Sequence, residues 1–170
     1  MRCFIGININ NYGGEFNKID LPNKSGLSKA KEYHITLIFY KDLSETEVNI
    51  LKKELSVFSF SKFKLEGDKL IAFPKNDKPE LYALGFKDDS KLKALYEEIK
   101  KITKLETTEK FNPHITLIRK EVLSPNFKDS KEKYKDIKPI EINIESFGLY
   151  KSEPNKGMNS YTPIFTVKLK

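Results

Sequence analysis

Apolar residues follow two rhythms along this chain. Unbroken or alternating runs mark strands, and returns at three and four residues mark helices. Residues 2–9, RCFIGINI, form an apolar, β-branched run suited to a buried strand. The polar stretch after it carries the breakers Gly13, Gly14 and Pro22, and YHITLIFY over 33–40 then reads as a second strand. Ser44 and Glu47 have the spacing of a capping box, and Val48, Leu51, Leu55 and Phe58 follow at helical intervals. Short strands are expected at FKLEG and KLIAF, with a loop at PKNDKPE that holds Pro74 and Pro79.

The pattern then restarts. LYALGF, 81–86, predicts a strand. DDSKLKALYEEIKKIT, 88–103, predicts a helix whose acidic start and lysine-rich end complement its dipole. Its buried stripe is Leu92, Leu95, Ile99 and Ile102. FNPHITLIR over 111–119 is another strand, and the lysine-rich segment from Pro125 to Ile137 predicts a loop with a short helix. Ile140, Ile142 and Ile144 alternate as a half-buried strand, and Phe165, Val167 and Leu169 do so near the C-terminus. Each half has a leading strand, an HITLI strand and trailing strands, although helices do not fall in the same order around HITLI. The economical reading is an α+β fold with approximate internal symmetry, residues 1–170 forming a single domain of two lobes.

Composition narrows the compartment more than the function. No apolar run approaches the roughly 20 residues that span a bilayer, and RCFIGINI directly after Met1 is unlike a secretory leader. The single cysteine, Cys3, lies in an apolar run and fits a buried structural thiol in a reducing compartment. A soluble, cytoplasmic chain with no membrane partner is expected. Net charge is +7, with 29 lysines and two arginines, Arg2 and Arg119. That balance favours polyanions such as nucleic acid, yet no block of like charge stands out as a basic arm.

Candidate chemistry concentrates in one repeat. HITLI occurs at 34–38 and again at 114–118, and the chain's two histidines open the two copies. On a strand, His34 and Thr36 face one way while Ile35, Leu37 and Phe39 face the other; His114 and Thr116 oppose Ile115 and Leu117 likewise. Each copy therefore offers an imidazole and a hydroxyl backed by apolar anchors. One histidine in a strand is ordinarily a structural residue, but two identical copies holding both histidines are hard to ascribe to packing. Imidazoles titrate near neutrality, so one can take a proton while the other gives one. Threonine hydroxyls can hold the oxygens of a phosphoryl group. The pattern reads as metal-independent phosphodiester cleavage, with donor and acceptor left open at this point. Zinc would need further ligands, and no C-x-x-C, H-x-H or H-E-x-x-H supplies them. Phosphate-loop and glycine-rich dinucleotide motifs are absent too.

Paired H-x-T-x motifs resemble those of the two-histidine (2H) phosphoesterase superfamily, and within it the RNA 2',3'-cyclic phosphodiesterase family, also named 2'-5' RNA ligase. MRCFIGI, YHITLIFY running into DLSETEV, NPHITLIR and SFGLYKSEPNKGMNSYTPI carry the likeness over nearly the whole chain. The resemblance implies two pseudo-symmetric lobes of mainly antiparallel sheet with outer helices around a central cleft. It implies hydrolysis of an RNA-terminal 2',3'-cyclic phosphate (tRNA fragments being one source) to a 2'-phosphate, with reversible 2'-5' RNA ligation as an accompanying activity. His34 would be the proton donor, His114 the proton acceptor, and Thr36 and Thr116 would hold the phosphate. No cofactor or metal is implied, and a monomer is expected. Arg119 matches a phosphate-contacting position, although strict alternation sets it opposite His114 unless the strand ends or bulges first. Tyr33, Tyr40 and Phe111 flank the motifs and could stack on bases, although core packing is the more usual fate of such residues. FYKD stands where the family often carries Phe-Leu-Gly-Glu, and the segment before His34 is short; both bear on substrate preference. The competing readings are another phosphodiester, such as a small cyclic nucleotide or a 2'-5' linkage, and an RNA-binding module without turnover.

Overall fold

A computed structural model describes residues 1–20, 27–30, 32–75, 78–107, 109–120, 134–155 and 158–170; for 27–29, 73–75, 78–80, 119–120, 134–135 and 158 it describes the backbone alone. RCFIGINI forms β1 (Cys3–Asn8). The glycine pair after it makes one helical turn, α1 (Gly13–Phe16), rather than only a break, because Phe16 anchors it in the core. A short strand that the pattern did not predict, β2 (Leu27–Lys29), precedes β3 (His34–Tyr40). Next come α2 (Glu45–Ser56), β4 (Phe63–Lys75), β5 (Lys78–Gly85), α3 (Ser90–Ile102) and β6 (Ile115–Lys120). The chain ends in β7 (Tyr134–Ile144), β8 (Ser146–Asn155) and β9 (Met158–Lys168).

The helices follow the sequence pattern. Ser44 and Glu47 form the full capping box of α2, each side chain accepting from the other's backbone N–H, and Val48, Leu51 and Leu55 turn inward. The helix stops before Phe58, whose ring meets Phe147 edge-on at 5.2 Å. In α3, Leu92, Leu95, Tyr96 and Ile99 are buried, and Lys100 and Lys101 occupy the last turn. Neither they nor any other described helix is long and apolar enough to cross a membrane.

The described strands form one sheet in the order β7-β4-β5-β6-β3-β1-β8-β9, with β2 also pairing β6 and each described pairing antiparallel. Two quartets meet where β6 joins β3. Residues 63–144 supply one quartet, whereas the other combines the first strands of the chain with its last hairpin. The lobes are therefore not the two halves of the sequence, because β8 pairs with β1 and carries the C-terminal strands back to the start. Two side-chain bonds tie each quartet to the connection from the other. Asn143 N–H in β7 donates to the Tyr12 hydroxyl at 2.8 Å. The Thr107 hydroxyl, beyond α3, donates to the Phe39 carbonyl of β3 at 2.7 Å.

Three local expectations change. FKLEG and KLIAF are one strand, with a register shift between Gly67 and Lys69. Gly67 permits it, since a methyl there would lie 2.4 Å from the Leu84 side chain. Much of the expected loop at 74–80 belongs to the β4–β5 hairpin, where Pro74 pairs with Pro79 across a second irregularity. The expected loop and short helix lie largely outside the described residues, but residues 134–137 belong to β7. Cys3 is buried, as expected of a structural thiol, and that burial pushes its thiol up from the usual value.

Gly6 lies opposite Thr36 on one side and Gly148 on the other. A methyl at Gly6 would sit 2.5 Å from the Ile35 carbonyl oxygen and 2.9 Å from the Phe4 ring, so the strand pair would have to part. Gly6→Ala should lower stability by about 1–3 kcal/mol, read as a lower denaturant midpoint. A second test concerns Tyr40, whose phenol burial pushes up to about 12, the nearby Thr103 side chain opposing the shift and the Glu54 carboxylate adding to it. An exposed tyrosine ionises near pH 10. Between about pH 10 and about pH 12 the unfolded chain releases this proton while the folded chain keeps it, so stability falls as pH rises through that window. Tyr40→Phe should flatten the fall; a wild-type slope in that variant would place the effect in other groups.

Candidate active site

The two HITLI copies meet at the joint between the quartets. Ile35 pairs with Ile115 in antiparallel register, and both are fully buried. Extending that register by one residue sets His34 opposite Thr116 and Thr36 opposite His114. Residues on either side of a buried pair face the other surface of the sheet, so all four polar side chains share one face. They are related by an approximate two-fold axis through the Ile35–Ile115 pair. The histidines are then diagonal neighbours with attachment points about 7–8 Å apart, a span that leaves room for one tetrahedral group between them.

Both copies bulge at the same letter. The β1–β3 register shifts so that Ile5 faces Ile38 and Gly6 faces Thr36, which leaves Leu37 as the extra residue. In the β5–β6 pair Tyr82 faces Ile118 and Ala83 faces Thr116, which leaves Leu117. Each bulge lets the last two letters, Leu37 with Ile38 and Leu117 with Ile118, bury together. It also resets the alternation that the sequence reading carried past Leu37. Phe39 is only half-buried, and the Arg2 guanidinium lies 4.9 Å over its ring. In the second copy the same reset gives the backbone at Arg119 the parity of His114, so the bulge condition is met. The Arg119 side chain lies outside the described residues.

Each histidine is half-buried and approached differently. His114 Nδ1 lies 2.8 Å from the Asn112 carbonyl oxygen. A carbonyl only accepts, so this nitrogen carries the proton and the neutral ring has its lone pair on Nε2. Pro113 favours the extended backbone at Asn112 that presents this carbonyl. His34 Nδ1 is shielded from solvent. Its ring lies 4.9 Å from Phe4 and 4.5 Å from Tyr161, at 36° and 65°. The backbone before it is braced by Asn10, whose Oδ1 accepts from Tyr33 N–H at 2.6 Å, while Ile9 N–H donates to the Tyr33 carbonyl at 2.9 Å.

The flanking aromatics fall elsewhere. Tyr33 and Tyr40 are buried in the core on the face opposite the histidines, Tyr33 by simple alternation and Tyr40 because of the bulge. Phe111 packs against Tyr96 of α3, ring centroids 4.4 Å apart at 14°. Tyr33 and Tyr40 present no open ring face to a base, which corrects the stacking expectation for them. Among the described residues, Phe4 and Tyr161 do stand beside His34. The sequence reading missed both, and it missed Asn10. Alternation along β1 offers Phe4, but Tyr161 needs the β8–β9 pairing to be found. Among the described residues no group of three or more His, Cys, Asp or Glu gathers as a metal site.

Comparison with known proteins bears on the family and the fold. A LigT like Phosphoesterase family model matches residues 8–81 and 85–158, each stretch holding one HITLI. The chain is 28% identical over 161 residues to the RNA 2',3'-cyclic phosphodiesterase of Archaeoglobus fulgidus, covering 89% of this chain and 91% of that one. It is 27% identical over 166 residues to the protein of the same description from Thermotoga maritima, covering 89% and 87%. Its fold is similar to that of TT0787 of Thermus thermophilus, with a TM-score of 0.78 at 18% identity over 99% of this chain and 97% of that one. It is similar also to E. coli LigT complexed with 3'-AMP, with a TM-score of 0.71 at 21% identity over 99% and 96%.

The contact with the Asn112 carbonyl makes a direct prediction for His114. In its neutral form, ¹⁵N spectra of the imidazoles should show Nδ1 protonated and Nε2 bare. The opposite tautomer would show that the carbonyl does not orient this ring.

Proposed function

The chain belongs to the LigT like Phosphoesterase family, and we propose that it hydrolyses 2',3'-cyclic phosphodiesters at RNA ends to 2'-phosphomonoesters, using His34 and His114 without a metal ion. The observation that carries this reading is the quartet around the Ile35–Ile115 pair, with two imidazoles and two hydroxyls on one face of the sheet. The descriptions of the Archaeoglobus and Thermotoga relatives point to the same substrate class. The net charge of +7 suits a polyanion.

In the proposed reaction a water attacks phosphorus and gives its proton to His114 Nε2, the nitrogen left with a lone pair by the Asn112 contact. The bond from phosphorus to the ribose 3' oxygen breaks, and His34 hands its proton to that oxygen. With Nδ1 of His34 shielded, the proton leaves from Nε2. The product keeps phosphate on the 2' oxygen and gains a 3' hydroxyl. Thr36 and Thr116 donate to the non-bridging oxygens while charge is carried through the transition state. Each proton transfer contributes about 10²–10⁴ in rate. With a 5' hydroxyl attacking the cyclic phosphate in place of water, the same groups would join RNA through a 2'-5' linkage.

The test is turnover of an oligoribonucleotide ending in a 2',3'-cyclic phosphate, in EDTA, with the product's phosphate position read by ³¹P NMR. Expected are a 2'-phosphate, a bell-shaped pH profile, and a kcat loss of at least about 10²-fold in either His34→Ala or His114→Ala. Wild-type turnover in one of these variants, or loss of activity on chelation, would refute the mechanism. Salt-sensitive RNA binding with no product would make the chain a binding module instead.

A further inference from the structure

The two histidines hold equivalent backbone positions in unlike surroundings. At His114 the Asn112 carbonyl selects the ring plane. At His34 two of the neighbours are aromatic rings. Phe4 lies 4.9 Å away on one side and Tyr161 4.5 Å away in an edge contact. Phe4 cannot yield, since it is buried, stacks on buried Tyr150 at 5.3 Å and 18°, and meets Tyr161 edge-on at 5.3 Å and 86°. Room for both stacked rings comes from Gly6 and Gly148, where added methyls would lie 2.9 Å from Phe4 and 3.1 Å from Tyr150. Tyr161 is the half-buried member, delivered by the last strand of the chain.

The torsion that turns an imidazole about its bond to Cβ has broad, roughly two-fold wells, so the contacts around the ring choose its plane, and rings packed against it take part in that choice. We infer that Tyr161 is a positioning residue for His34, its ring closing an aromatic clamp with Phe4 that aims the His34 imidazole at the leaving oxygen. The contact is between rings, so the phenol hydroxyl is dispensable and the aromatic ring is not. This inference rests on the paired-histidine reading above, and one arm of its test does not depend on activity.

Steady-state kinetics on the cyclic-ended oligoribonucleotide and ¹³C spectra of the imidazoles should be compared in the wild type, Tyr161→Phe and Tyr161→Leu, with Tyr161→Met replacing the leucine variant if that one does not fold. Tyr161→Leu should lower kcat by about 10- to 100-fold, leave KM within about twofold, and move the His34 signals while sparing those of His114. Tyr161→Phe should match the wild type in all three. An unmoved His34 signal in folded Tyr161→Leu would overturn the clamp, whatever the activity. So would a raised KM at unchanged kcat, which would make Tyr161 a surface for the base, or a Tyr161→Phe variant as impaired as the leucine variant. Full activity in His34→Ala would instead defeat the paired-histidine reading, leaving the spectra to judge the clamp.

Discussion

The pairing of Ile35 with Ile115 holds the candidate site together. It is the one register pair described between β3 and β6, and so the backbone joint between the two quartets. Both side chains are fully buried, which sends the residues on either side of them to the opposite face. Slipping the register by one residue would turn every histidine and threonine of one copy into the core. Such a slip is resisted from both ends. The Tyr12 hydroxyl is fastened to β7 and the Thr107 hydroxyl to β3, so the connection leaving each quartet is fixed to a strand of the other.

The same joint accounts for a repeat that is identical at five positions. The histidine and threonine must face outward, the isoleucine between them must pair across the joint, and the last two residues must both be buried. An unbroken strand cannot bury consecutive residues on one face. The bulge at Leu37 and at Leu117 resolves this by giving one strand an extra residue, and it recurs at the same letter in both quartets. Each of the five positions therefore has its own requirement, and the two copies meet the same five because the joint is nearly symmetric.

Much of this was legible along the chain. The alternation within HITLI, the capping box at Ser44 and the apolar stripe of α3 are local patterns, settled by neighbours a few residues away. Bulges are not local, because an extra residue exists only relative to a partner strand. Phe39 was accordingly given the wrong face, and the parity of Arg119 depended on a feature no single strand displays. The composition of the lobes depends on which strands pair, and the pairing of β8 with β1 spans nearly the whole sequence. Tyr161 was invisible for the same reason. It lies 127 residues from His34 along the chain, and the β8–β9 hairpin brings the two rings to 4.5 Å.

Near-symmetry also creates a difficulty that the surroundings resolve. Two imidazoles in identical settings would compete equally for a single proton, and the protons would belong to the pair rather than to either ring. On the proposed reaction such a pair would spend much of its time with the proton on the wrong side of the phosphate. The protein keeps the symmetry in the backbone and breaks it around the rings. The turn through Asn112 and Pro113 commits the Nδ1 of His114 to a carbonyl and leaves the lone pair of the neutral ring on Nε2, as the proposed base requires. On the other side, strands from both ends of the sequence surround His34 with aromatic rings. The duplicated pentapeptide places two equal groups at the joint, and the unduplicated residues around them let the two groups differ.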